Sequence, residues 1–146
     1  MAKSINTCNS LLALIFNATL FANLAMNASV GPLANLYVSL HKTNPGTGGS
    51  QETGEADYGA YSRIAVPRDN SGTGWKTPAS GSTDNNALIS FTECNGGSNS
   101  IGFVAIGTDL TGAGRVLYAG SLGSPRTISE GIQPQFSAHA LIVTET

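Results

Sequence analysis

The chain has 146 residues, of which only 11% are charged, and its formal charge at pH 7 is −2. This length is enough for one domain with its own core. The chain contains no block of Lys and Arg, which argues against a nucleic-acid-binding surface. Because charged residues make up about 25% of an average globular protein, Ser, Thr, Asn and Gly must supply much of this surface, as is typical of all-β proteins.

The N-terminal segment predicts an amphipathic helix over residues 5–27, because apolar side chains recur at helical spacing. Ser4 and Asn6 are candidates for its N-cap, and Gly31-Pro32 would end it. No membrane span is expected, since the apolar stretch is shorter than the ~20 residues that a bilayer requires. We therefore expect a helical segment at residues 1–31, followed by a β domain at residues 32–146. The helix covers that domain's core or docks into another subunit.

After Pro32 the hydrophobic pattern changes from helical spacing to the alternation typical of strands. Eight short strands are predicted, at residues 36–41, 61–66, 87–92, 101–106, 116–119, 127–129, 132–136 and 139–144. A long Gly-rich and Pro-rich loop follows the first strand, and Gly112 and Gly114 predict a hairpin turn between the fourth and fifth. This series indicates a single β-sandwich or a jelly-roll-like barrel.

No motif predicts catalysis. The segment "GTGWKT", residues 72–77, fails as a phosphate-binding loop because Trp75 stands where that motif requires Gly. The nucleophile motif G-x-S-x-G is also absent. We therefore predict no enzyme activity, no catalytic residues and no cofactor.

Metal ligation is not predicted either. Two sets of candidate ligands exist: Cys8, His41, Cys94 and His139, and in the long loop Glu52, Glu55 and Asp57. The first set lacks metal-site spacing, so we expect buried free thiols, with a disulfide as the open alternative, and histidines that face solvent or are hydrogen-bonded in the core. The loop carboxylates would suit Ca²⁺, but we favour a solvated acidic loop.

Apolar and aromatic side chains provide the candidates for contacts between subunits. Aromatic residues near loops are frequent hot spots of protein interfaces, and an apolar helix is suited to docking. The candidates are Leu11, Ile15, Phe16, Tyr58 and Trp75. The alternative for the aromatic residues is that they close one end of the β domain.

Four segments carry a resemblance to a known family. They are "LYVSLHKTNPG" at residues 36–46, "EADYGAYSRIAV" at 55–66, "FVAIGT" at 103–108 and "GRVLYAG" at 114–120. In this order, after an N-terminal helix, they resemble the pattern of small virion proteins of tailed bacteriophages, and the resemblance covers nearly the whole chain. Asn44 replaces the acidic residue that usually precedes the Pro in the first segment.

The resemblance implies a structural protein of the virion. Such proteins are often labelled tail fibre proteins, while similar small β-rich chains decorate phage heads as cement proteins. Because no repeat of fixed period typical of an elongated fibre is present, we favour a capsid decoration protein on the capsid surface, a homotrimer bound to the major capsid protein. The alternatives are a tail or tail-fibre component, and a carbohydrate-binding β-sandwich with Trp75 and Tyr58 as its stacking platform.

Overall fold

The computed structural model describes residues 3–21 and 32–146 and shows one helix and eight strands among them. Helix α1 spans Ile5–Phe16, and the strands are β1 Asn35–His41, β2 Ile64–Pro67, β3 Ser82–Asp84, β4 Ile89–Ser90, β5 Ser98–Gly107, β6 Val116–Ser129, β7 Gln135–Phe136 and β8 Ile142–Thr144. The predicted class, mainly β with an N-terminal helix, is confirmed. The strand order is β2-β1-β5-β6 in the main sheet. The other described strands form two separate pairs, β3-β8 and β4-β7, so the described strands make open sheets and no closed barrel.

Helix α1 is shorter than its apolar pattern predicts. Ser4 caps its start, where the side-chain oxygen accepts a hydrogen bond of 3.3 Å from the Thr7 backbone N–H. It ends at Phe16, because Asn17 leaves the helical conformation and Ala18 has a φ of 52°, in the left-handed region. The prediction of helix over residues 17–21 is therefore wrong. The rest of that prediction, residues 22–27, and the predicted division at residue 31 lie outside the described residues.

Backbone contacts divide the chain into two compact units. The first contains Met1–Asn35, Val66–Ile89 and Phe136–Thr146, and the second contains Leu36–Ala65 and Ser90–Gln135. The first unit thus holds α1 with the β3-β8 pair, while most of the main sheet belongs to the second. No helix within residues 3–21 and 32–146 is long and apolar enough to cross a membrane.

The core of the first unit forms under α1. Three side chains on one face of the helix are buried, Cys8, Leu12 and Phe16. The Phe16 ring meets the Trp75 ring edge to face, with centroids 4.7 Å apart, and both side chains are 0% exposed. Aromatic pairs in this geometry add to the stabilisation that comes from burial alone.

The core of the second unit lies along β1 and β5, which pair antiparallel. Val38 stands opposite Ile106 and Leu40 opposite Val104, and all four are buried. β5 is buried along most of its length, in agreement with its nearly continuous apolar sequence. Cys94 in this unit and Cys8 in the first are both buried and free, which confirms the prediction of buried thiols.

Strand β6 joins two segments that the sequence predicts as separate strands. Residues 116–119 and 127–129 are the two ends of this 14-residue strand. Ile101 of β5 pairs with Arg126 and Phe103 pairs with Ser121, so residues 122–125 stand opposite the single residue Gly102 as a bulge. Gly123 and Pro125, which are residue types common in turns, lie within this bulge.

Candidate functional site

A cleft of about 480 Å³ on the second unit brings together the polar side chains of two loops. One wall is formed by residues between 52 and 63, and the other by the loop that joins β5 to β6. Its lining includes Glu52, Glu55, Ser62, Arg63, Leu110 and Thr111. Apart from Glu52, the residues of the first wall belong to the segment "EADYGAYSRIAV", and the second wall belongs to the hairpin turn with Gly112.

Arg63 forms the floor of the cleft and is only 5% exposed. Its Nε donates to Oε1 of Glu55 and its Nη2 donates to Oε2, both at 2.7 Å. This two-point contact raises the pKa of the Arg63 guanidinium. Tyr61 joins the pair, because its hydroxyl donates to Oε1 of Glu55 at 2.9 Å and accepts from the Leu40 backbone N–H at 3.0 Å. Burial raises the pKa of Tyr61 above its ordinary value.

The same guanidinium fixes the opposite wall. Nη1 of Arg63 donates to the Asp109 carbonyl at 2.9 Å, and Nη2 donates to the Gly112 carbonyl at 2.8 Å. Gln51, which is 0% exposed, holds that loop from another direction. Its backbone N–H donates to the Gly114 carbonyl at 2.8 Å, and its Oε1 accepts from the Asp109 N–H at 2.9 Å. Both walls are therefore fixed by buried polar contacts.

The loop carboxylates do not converge on one point. Glu55 pairs with Arg63, whereas Asp57 pairs with Lys42 at 2.9 Å and accepts from the Asn99 amide at 2.8 Å. The bond to Lys42 lowers the pKa of the Asp57 carboxyl. Glu52 and Asp57 are exposed, so the prediction of a solvated acidic loop holds for these two residues and is wrong for Glu55. Within the described ranges, no group of three or more His, Cys, Asp or Glu side chains could hold a metal ion.

His41 is a hydrogen-bonded core residue, as one of the two expected roles predicts. It is 0% exposed, its Nδ1–H donates to the Thr53 carbonyl at 2.9 Å, and its Nε2 lies 2.9 Å from the Ser39 hydroxyl, which then donates to it. Burial lowers the pKa of His41, which favours this neutral form. His139 is exposed, and its Nδ1 lies 2.7 Å from Oδ1 of Asp84.

The five interface candidates have different environments. Phe16 and Trp75 lie together in the core of the first unit, and Tyr58 is 3% exposed in the second unit, where its hydroxyl donates to the Thr92 carbonyl at 3.1 Å. Burial raises the pKa of Tyr58 to about 12. Leu11 and Ile15 are half-buried on α1. The interface role stays a prediction. Phe16, Tyr58 and Trp75 would have to leave the core to fulfil it, and neither Tyr58 nor Trp75 offers a ring face on which a sugar could stack.

Sequence reasoning missed Arg63 and Gln51, the two residues that fix the cleft. One feature of the sequence could have pointed to Arg63. It is a charged residue near the start of a predicted strand, and a charged side chain that is buried there requires a partner. Glu55 lies eight residues earlier in the same segment. No feature of the sequence indicated that Gln51 is buried, because it lies among Gly, Ser and Thr in a segment whose composition predicts a solvent-exposed loop.

The comparison with protein families identifies the class of protein. A family model matches residues 10–144, which is most of the chain, and it describes a structural protein of a tailed-bacteriophage particle. The chain belongs to this family, described as Podophage GP4 fiber I protein gp80. The predicted resemblance to tailed-phage virion proteins is thereby confirmed. No curated protein matches the chain.

Proposed function

We propose that the chain is a component of a fibre on the virion. The observation that carries this proposal is the family match, which extends over residues 10–144 and whose description names a fibre protein. Of the functions predicted from the sequence, a tail or tail-fibre component agrees best with that description. The role is structural and involves no catalytic step.

The second unit has features that suit such a position. Its surface loops are fixed by buried side chains: Arg63 contacts both walls of the cleft, and Asn99 accepts from the backbone N–H groups of Asp57 and Tyr58 at 2.8 and 2.9 Å. Loops held in this way keep their shape before any partner binds, which lowers the entropic cost of binding. A protein that contacts partners at the outside of a particle benefits from such loops.

A capsid decoration protein is the second candidate. It is favoured by the absence of any repeat of fixed period in the 146 residues, since elongated fibres are commonly built from repeats. In that role the chain would bind the major capsid protein at junctions between capsomers, as a homotrimer on the capsid surface.

Immunogold electron microscopy of intact particles tests the two candidates against each other. An antibody raised against the folded chain is expected to label projections from the particle. Uniform labelling over the head would overturn the fibre proposal and favour decoration. Particles of a phage from which the gene for this chain has been deleted serve as the control for antibody specificity.

A further inference from the structure

We propose that Asn95 is a modification site, where spontaneous loss of the side-chain amide loosens a contact with Gly59. This inference goes beyond the proposed function, because it depends on the chemistry of the chain and not on its place in the virion. Asn95 precedes Gly96, and this is the one Asn-Gly pair in the 146 residues. A glycine after Asn leaves the next backbone nitrogen accessible, because glycine carries no Cβ that would shield it.

Both groups that react are free in the folded protein. Asn95 is exposed and lies outside the regular elements, shortly before β5. Within the part of the chain that the structure describes, neither the Asn95 side-chain amide nor the Gly96 N–H has a hydrogen-bond partner. The Gly96 carbonyl, in contrast, accepts from the Gly59 N–H at 2.7 Å and from the Cys94 thiol at 3.3 Å. The turn is therefore held through this carbonyl, and the nitrogen that must react remains available.

The structure protects the three Asn-Ser pairs of the chain, whose small second residue makes them the next candidates. Asn9 lies in helix α1, and its Oδ1 accepts from a backbone N–H at 2.6 Å. After Asn70, the N–H of Ser71 donates to a carboxylate oxygen at 2.9 Å, so that nitrogen is engaged. Asn99 is buried, and its amide is hydrogen-bonded through both Oδ1 and Nδ2. We therefore expect Asn95 to react first.

The reaction consumes water and involves no oxidation or reduction. The Gly96 backbone nitrogen gives its proton to hydroxide and attacks Cγ of Asn95, which forms an N–Cγ bond and closes a cyclic imide. The Cγ–Nδ2 bond breaks, and Nδ2 takes a proton from water and leaves as ammonia. Water then opens the imide. Cleavage of the new N–Cγ bond gives aspartate, whereas cleavage of the original bond to the main-chain carbonyl carbon gives isoaspartate.

The modification falls on a closely packed contact in the second unit. A Cβ atom at residue 59 would lie 2.3 Å from Oδ1 of Asn95 and 2.9 Å from the Gly96 carbonyl oxygen, so Gly59 lies directly against this peptide. The Asn95 N–H donates to the Gly59 carbonyl at 3.3 Å, and the Gly59 N–H donates to the Gly96 carbonyl at 2.7 Å. Isoaspartate adds a carbon atom to the main chain between these two bonds. Both bonds cannot then keep their geometry, and the modified protein loses stability.

The test is mass spectrometry of the full chain and its peptides during incubation in mildly alkaline buffer, with a synthetic peptide of residues 91–99 as the unfolded reference. Isoaspartyl methyltransferase distinguishes isoaspartate from aspartate. Gly96→Ala is the informative variant, because its added Cβ shields the backbone nitrogen but meets no atom within 4 Å, and Gly96 has no left-handed φ. Gly120→Ala, whose Cβ also meets no atom, is the matched control.

We expect Asn95 to lose its amide before any Asn-Ser pair does, about ten-fold or more slowly in Gly96→Ala and at an unchanged rate in Gly120→Ala. The isoaspartate form, separated by anion exchange through its added charge, should unfold at a lower temperature. Three results would each overturn the proposal: an intact Asn95 when the peptide has reacted, faster loss at an Asn-Ser pair, or equal thermal stability of the modified and unmodified forms.

Discussion

The buried Arg63 and the half-buried Glu55 form a two-point ion pair, with two N–H···O bonds of 2.7 Å. The guanidinium also holds the loop between β5 and β6, so one side chain connects three parts of the second unit. Such a geometry satisfies the charges of both residues, and removal of either partner takes the opposite charge away from the other.

Replacement of Arg63 is therefore expected to destabilise the protein strongly. We predict that Arg63→Ala lowers the free energy of unfolding by about 3–5 kcal/mol, the cost of breaking a buried ion pair from one side. Arg63→Lys keeps the charge but loses the fork of donors, and an intermediate loss is expected. Urea denaturation measures the free energy of unfolding of both variants. Arg126→Ala, at an exposed position of β6, should change stability by less than about 0.5 kcal/mol. An Arg63→Ala loss as small as that of the control would contradict this account.

Trp75 is expected to act through the core of the first unit. Trp75→Ala should cost about 3–5 kcal/mol, because it removes a fully buried aromatic side chain that packs on Phe16. Trp75→Phe should cost much less, since it preserves an aromatic ring and removes an indole N–H that has no hydrogen-bond acceptor among the described residues. Thermal unfolding followed by circular dichroism compares the stability of the two variants with that of the wild-type protein. Equal stability of the wild-type protein and Trp75→Ala would show that Trp75 is not a core residue.

Gly114 is predicted to be coupled to Gln51. A Cβ atom at residue 114 would lie 2.2 Å from Oε1 of Gln51 and 2.6 Å from Oδ2 of Asp109, closer than atoms can approach. Gly114→Ala is therefore expected to destabilise the hairpin loop, and a part of that loss should disappear in the background of Gln51→Ala.

A double-mutant cycle measures this coupling, with an expected interaction energy of about 0.5–3 kcal/mol. Gly120→Ala is the matched control, because no atom lies within 4 Å of its added Cβ. Strict additivity of the Gly114 and Gln51 substitutions would rule out the close approach.

His41 is expected to make stability depend on pH. Its folded-state pKa is lowered by burial, whereas the unfolded value is about 6.5. The unfolded state therefore binds the proton more readily, so the contribution of His41 is present above about pH 6.5 and is lost as the pH falls through the folded-state pKa. Denaturation curves between pH 8 and pH 5 should show a smaller change in His41→Gln than in the wild-type protein. An identical pH dependence in the two proteins would contradict this assignment.

Those parts of the fold that depend on local sequence were predictable. The strand at residues 36–41 and the buried strand at residues 101–106 were predicted because their apolar patterns hold over the whole element. The helix was predicted too long, since the apolar pattern continues past Asn17 and only the backbone conformation of Ala18 shows the end. β6 was divided because Gly123 and Pro125 give the same signal in a bulge as in a turn.

The cleft was not predictable, because its contacts join residues that are distant in sequence. Arg63 reaches carbonyl groups that are 46 and 49 residues away, and Gln51 reaches Asp109 across 58 residues. These bonds use backbone atoms, which every residue possesses, so no residue pattern marks them. Burial of Trp75 was likewise undecided, because a lone aromatic between polar loops fits both a core and an interface.

The central claim is that this chain forms part of a virion fibre, and a cryo-electron microscopy map of the whole particle tests it most directly. We expect density that fits helix α1 and the β2-β1-β5-β6 sheet in a projection from the particle surface. Density for the same fold at regular positions of the capsid lattice, and nowhere in a projection, would contradict the claim and support capsid decoration.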